Sequence, residues 1–161
     1  MKRHLLAILS IVLCGVAQAA SDEFDYVEYD YEAWYADAGA ALVLPQGGGA
    51  KMRRLGGAAV RLGYYASDAL AIEGTAAWLE DAVGLGVHGL WHWWLYEPFD
   101  PFFTFGVNGW IDGEVGPCAG WGCFWHFNDT WSVRVDADAT LGVDGAQEMV
   151  YQLGVALQYA F

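Results

Sequence analysis

The sequence predicts an all-β chain, an eight-stranded antiparallel up-and-down barrel that crosses a membrane with its strands. Three observations point there. Apolar residues make up 56% of the chain and aromatics 16%, yet after residue 20 no apolar run reaches the roughly 20 residues that a membrane helix needs. The apolar residues instead alternate with small or polar ones, which is the period of a strand with two unlike faces. The alternating segments number eight, an even count that an antiparallel barrel can close.

The elements follow in chain order. "MKRHLLAILSIVLCGVAQAA" opens with Lys2 and Arg3, continues with an apolar stretch from Leu5 to Val16, and ends in Ala17-Gln18-Ala19. This is the pattern of a secretory signal peptide over residues 1–19, cleaved after the small-x-small triplet. Residues 20–32 alternate six carboxylates with Phe24, Tyr26, Tyr29 and Tyr31, a composition expected of a periplasmic tail. The barrel is expected over residues 33–161. Its strands fall at 33–44, 53–66, 69–79, 82–94, 102–112, 116–127, 130–141 and 148–161. The breaks between them, "PQGGGAK", "ASD", "LED", "YEPFDP", "DGEVGP", "FND" and "LGVDGAQ", carry turn residues. Each strand is close to the length that crosses a bilayer at a tilt.

Alternation also assigns faces. In the last strand Leu153, Val155, Leu157, Tyr159 and Phe161 share one side, and Gln152, Gly154, Ala156, Gln158 and Ala160 the other. A soluble barrel would turn the bulky set inward. A narrow lumen takes the small and polar set, so the bulky set is expected to face lipid. The aromatics support this. With a periplasmic N-terminus, Trp34, Phe103 and Trp131 begin outward strands, while Tyr64, Trp91, Trp93, Phe127, Tyr159 and Phe161 end returning ones. All fall at one membrane face, as an aromatic girdle at headgroup height requires.

Two of these stretches resemble a known superfamily. "RLGYYASDALAIEGTAAWLE" and "VGPCAGWGCFWHFNDTWSVRVDADATL" resemble hairpins of small outer-membrane β-barrels of the OmpA/OmpX type. The ending Leu157, Tyr159, Phe161 is similar to the C-terminal signal read by the outer-membrane assembly machinery. The resemblance spans about residues 33–161. It implies insertion into the outer membrane of a Gram-negative-type bacterium, contact with outer-membrane lipid and lipopolysaccharide, and a monomer. It leaves function open, because the superfamily holds anchors, adhesion factors, lipid-modifying enzymes and small-solute channels.

Charge narrows the classes further. Without the leader, five basic residues face twenty acidic ones, a net charge of −15. Nucleic-acid phosphates would be repelled, so no nucleic-acid partner is expected. Parity turns Arg61 and Glu73 inward, and counting around "ASD" sets them opposite each other, with Asp37 in reach of the same Arg61. Arg134, Asp136 and Asp138 form a second inward group. Together these predict interior ion pairs that fill the lumen. Lys51, Arg53 and Arg54 cluster beyond the first outward loop. Parity turns Arg54 toward lipid and Arg53 into the mouth, so Lys51 and Arg54 are candidate contacts for lipopolysaccharide phosphates.

The remaining chemistry-bearing residues give no catalytic set and no cofactor. His88 and His92 share a face but stand roughly 13 Å apart on a strand, too far for one metal ion. His126 opens "HFND", similar to the His-x-Ser-Asn segment of outer-membrane lipid A deacylases, but Asn128 stands where the nucleophilic serine would be, and parity turns His126 away from lipid. Cys118 and Cys123 lie on opposite faces of one strand and are expected as free thiols. The expected role is therefore a non-enzymatic outer-membrane barrel for envelope integrity or surface interaction, with a narrow ion or small-solute channel as the alternative.

Overall fold

The computed structural model describes residues 34–46, 55–67, 69–80, 82–93, 98–110, 115–142 and 149–161. The expected leader and tail, and the cluster Lys51, Arg53 and Arg54, lie outside them. The described residues form eight strands: β1 (Trp34–Gln46), β2 (Leu55–Ser67), β3 (Leu70–Leu79), β4 (Ala82–His92), β5 (Phe99–Trp110), β6 (Val115–His126), β7 (Trp131–Leu141) and β8 (Met149–Ala160). Each pairs antiparallel with the next, and β8 pairs with β1 from Tyr35↔Ala160 to Gln46↔Met149. The sheet is a closed barrel without an edge, which is the condition for placing strands in lipid.

Following paired residues around the barrel from Trp34 through Tyr64, Ile72, Gly89, Phe105, Ala119, Ala139 and Tyr151 returns to β1 at Leu44. The circuit thus climbs ten residues along β1. Such a shear tilts the strands, and eight strands leave an interior just wide enough for side chains to fill. Residues at one height across the lumen are therefore not those on one row of hydrogen bonds.

Strand boundaries follow local chemistry. β3 and β4 stay paired to their shared end at Leu79↔Ala82. Between β6 and β7 the Asn128 carboxamide oxygen accepts from the backbone of Thr130 and Trp131, each at 2.9 Å, a turn that aspartate and asparagine side chains favour. The start of β5 corrects the sequence reading. Phe99, Asp100 and Pro101 were expected in a turn, yet they are strand. Proline is tolerated because Pro101 stands opposite Trp93, just past the end of β4, and needs only its carbonyl there, which accepts from Trp93 N at 3.1 Å.

The two faces differ as alternation demands. Leu153, Val155, Leu157 and Tyr159 of β8 are exposed, while Gln152, Gly154, Ala156 and Gln158 are buried. Ile72, Leu85, Val87, Val107 and Val135 continue the exposed apolar surface around the barrel. An apolar surface of this extent is disfavoured in water by roughly 25 cal/mol per Å², a penalty that lipid removes.

Candidate functional site in the barrel lumen

The lumen is built in three levels from the end that carries the start of β1 and the finish of β8. The first is an apolar plug of Tyr35, Ala71, Leu90, Phe102 and Phe124, joined by Tyr65 and Ala160. The rings fit because facing positions are glycine: a Cβ on Gly63 would stand 2.1 Å from the Tyr35 ring, and one on Gly122 2.4 Å from that of Phe102. His92 stacks on Phe124 at 6.0 Å and 12°. Its Nδ1 lies 2.7 Å from Asp100 Oδ2, and His126 Nε2 lies 3.8 Å from the same oxygen.

Above the plug stands the charged level. Arg61 donates from Nη1 to Asp37 Oδ1 at 3.0 Å and from Nη2 to Asp136 Oδ2 at 3.2 Å. Arg134 donates from Nε to Asp136 Oδ1 at 3.0 Å, from Nη1 to Asp37 Oδ2 at 3.2 Å, and from the same nitrogen to Glu73 Oε2. Tyr35 donates its hydroxyl to that Glu73 oxygen at 2.9 Å. The Arg134 guanidinium also lies 5.0 Å from the centre of the Phe102 ring and 5.5 Å from that of Phe124, cation–π contacts that seat the charged level on the plug.

The third level is polar, then apolar. Thr75 Oγ1 lies 3.5 Å from Glu73 Oε1 and 3.2 Å from His88 Nδ1. His88 Nε2 is 2.8 Å from Asn108 Oδ1, and Asn108 Nδ2 donates to Thr140 Oγ1 at 3.0 Å. Beyond them Ala41, Val43, Ala59, Ala77, Leu79, Trp110 and Val150 close the lumen. The cavity between these groups, lined by Thr75, Asn108, Trp110 and Gln152 among others, measures about 10 Å³. That is about the space that a single water molecule occupies.

Several predicted residues meet differently from expectation. Asp37 is paired with Arg61 in the sheet register. Glu73 is not opposite Arg61: Arg61 pairs with Thr75 and Glu73 with Gly63, and the β2–β3 register carries a one-residue irregularity between Tyr65 and Ser67. Glu73 Oε1 remains 3.8 Å from Arg61 Nε, and its close partner is Arg134. Arg134 and Asp136 are therefore not a second group but members of the same cluster. Asp138 makes no ion pair within 4.0 Å among the described residues, and its Oδ1 has no hydrogen-bond partner there. Sequence reasoning passed over Tyr35, Thr75, Asn108 and Thr140, although each has inward parity. It also missed Asp100, which was assigned to a turn.

Trp34, Trp91, Trp93, Phe103, Phe127, Trp131, Tyr159 and Phe161 are exposed on the outer surface, and Tyr64 is half-buried. They touch in pairs around the terminal end: Trp34–Tyr64 at 5.2 Å, Trp93–Phe103 at 5.1 Å and Trp131–Tyr159 at 4.9 Å. Phe99 and Trp125 extend the band. Cys118 and Cys123 are free thiols. Among the described residues no three His, Cys, Asp or Glu side chains converge on a metal position.

The sequence matches no protein-family model and no curated protein. Solved structures do match. Neisserial surface protein A aligns with a TM-score of 0.63 at 12% identity, over 80% of this chain and 99% of that one. Ail, the attachment invasion locus protein of Yersinia pestis, in complex with the heparin analogue sucrose octasulfate, aligns with a TM-score of 0.61 at 13% identity, over 80% and 98%. The N-terminal β-barrel domain of Pseudomonas aeruginosa OprF aligns with a TM-score of 0.59 at 13% identity, over 79% and 97%. The chain therefore has the fold of the small eight-stranded outer-membrane barrels.

Proposed function

We propose that the chain is an outer-membrane barrel of a Gram-negative-type bacterium, exported through a cleaved signal peptide, that serves the envelope as a non-catalytic, monomeric structural or surface-contact element and does not conduct. The observation that carries this reading is the filled lumen: an aromatic plug, a charged cluster and an apolar cap stand in series along the axis. The barrel assembly machinery is the proposed partner for the outward-facing Leu157, Tyr159 and Phe161 of the closing strand.

The surface-contact side rests on where positive charge is left. Arg61 and Arg134 are buried, so every other basic residue of the chain after the leader lies within residues 51–54. A highly sulfated ligand like the sucrose octasulfate bound to Ail is a poor match for a chain of net charge −15. A lipopolysaccharide phosphate at headgroup height suits three clustered cations, which hold it through charge-assisted hydrogen bonds. Arg54→Glu is expected to reduce lipopolysaccharide co-purification more than Arg53→Glu, and equal retention in both rejects the contact.

Planar-bilayer recording of the refolded protein tests the central reading. The expected result is a silent membrane at protein densities where a porin gives steady unit currents. Steady unit currents from the unmodified chain would overturn it in favour of a narrow ion or small-solute channel.

A further inference from the structure

The charged level of the lumen is one cation short. Arg61 and Arg134 face Asp37, Glu73 and Asp136, and all five side chains are at most 3% exposed. A buried charge left unbalanced costs several kcal/mol, so the cluster requires a third positive charge in contact with it.

His88 occupies that position, with Nδ1 3.7 Å from Glu73 Oε1. Hydrogen bonding and the charge deficit together assign its state. The Thr75 hydroxyl has one hydrogen for two acceptors, Glu73 Oε1 at 3.5 Å and His88 Nδ1 at 3.2 Å, and the shortage of positive charge selects donation to the ionised, acceptor-only Glu73. The contact of Thr75 Oγ1 with His88 Nδ1 is then a bond in which the imidazole donates. On the other side, Asn108 spends its NH₂ on Thr140 and turns Oδ1 to His88 Nε2. That oxygen accepts, so Nε2 also donates. With both nitrogens donating, the ring is an imidazolium.

We propose that His88 carries the missing positive charge, so that the lumen holds one proton as a structural counter-ion and the six-membered cluster is neutral. The groups around His88 on every strand fit this. Glu73 of β3 touches it, and through Glu73 it joins the charged groups of the other strands: Asp37 of β1, Arg61 of β2, and Arg134 and Asp136 of β7, with Asp138 next along β7. β6 contributes Cys118, across Gly106, which has no side chain. The inward residues beside it on β5 and β8, Asn108 and Gln152, are uncharged.

Two measurements test the assignment. The ¹⁵N spectrum of histidine-labelled protein in lipid at neutral pH is expected to show both His88 ring nitrogens protonated. A spectrum with one unprotonated nitrogen, as a flipped Asn108 amide would produce, overturns the proposal. Independently, His88→Gln keeps the size and hydrogen-bonding capacity but removes the charge, and is expected to lower the temperature at which heat-modified gel migration reports unfolding. Adding Asp136→Asn, a residue His88 does not touch, restores two charges against two and should recover part of that loss. A double variant less stable than His88→Gln would mean that His88 acts by contact alone and would overturn the counter-ion role. Raising the pH past the point where His88 releases its proton should lower the wild-type unfolding temperature and leave His88→Gln unchanged at the same step. An equal response of both proteins rejects the link.

Discussion

Arg134 holds the centre of the lumen because its guanidinium meets three carboxylates and two aromatic faces from one position on β7. Its planar fork suits several acceptors at once, which a lysine ammonium cannot reproduce. Arg134→Ala leaves Glu73 without its close cation and should cost on the order of 3–5 kcal/mol, seen as a large fall in the heat-modified gel transition. The geometry also ranks pairwise couplings. Arg61 should couple strongly to Asp37, at 3.0 Å, and weakly to Glu73, at 3.8 Å. In double-mutant cycles the first should lie within the range of about 0.5–3 kcal/mol found for residues in contact. A stronger Arg61–Glu73 coupling would mean that the β2–β3 register is the one counted from the "ASD" turn. At Gly63 a methyl group would enter the Tyr35 ring, so Gly63→Ala should destabilise by about 1–3 kcal/mol through overpacking. A Tyr35→Ala background should suppress that loss.

Strand-level features were the most legible in the sequence, because period two is local and a one-residue slip would expose the wrong face. Inward parity correctly turned Asp37, Arg61, Glu73, Arg134 and Asp136 into the lumen. Pairing was less legible. The β2–β3 register differs by two from the one counted around "ASD", which keeps parity and so leaves no trace in the alternation. Pro101 and Asp100 read as turn residues, and only the end of β4 at His92 shows why a strand begins there. The seam between β8 and β1 depends on the final residues. Phe161 N donates to Trp34 O at 2.8 Å, and its ring stacks on Tyr159 at 6.1 Å. Deleting Phe161 is expected to reduce the outer-membrane fraction and raise the periplasmic one. Unchanged fractionation would show that the terminal ring is dispensable for insertion.

At the scale of the whole barrel, shear explains why the site was only half visible beforehand. Climbing ten residues in one circuit brings Glu73 of β3 and Arg134 of β7 to the height of Asp37, although no row of hydrogen bonds joins them. Sequence parity finds which side chains enter the lumen, but their meeting across it follows from tilt, which no local pattern encodes. The same geometry places the barriers in series. An ion crossing the lumen would meet the Phe102–Phe124 plug, then the charged cluster, then the cap around Trp110. Barriers in series are not removed singly. Arg61→Ala alone should therefore leave the refolded barrel silent in a planar bilayer while lowering its stability. Combining Arg61→Ala with Phe102→Ala and Trp110→Ala, one truncation per level, should produce flickering currents. Because the remaining lumen is lined by Asp37, Glu73, Asp136 and Asp138 against the Arg134 guanidinium and the His88 imidazolium, those currents should favour cations over anions. Currents from Arg61→Ala alone would show that the two apolar levels do not block ions and that the charged cluster is the only closure.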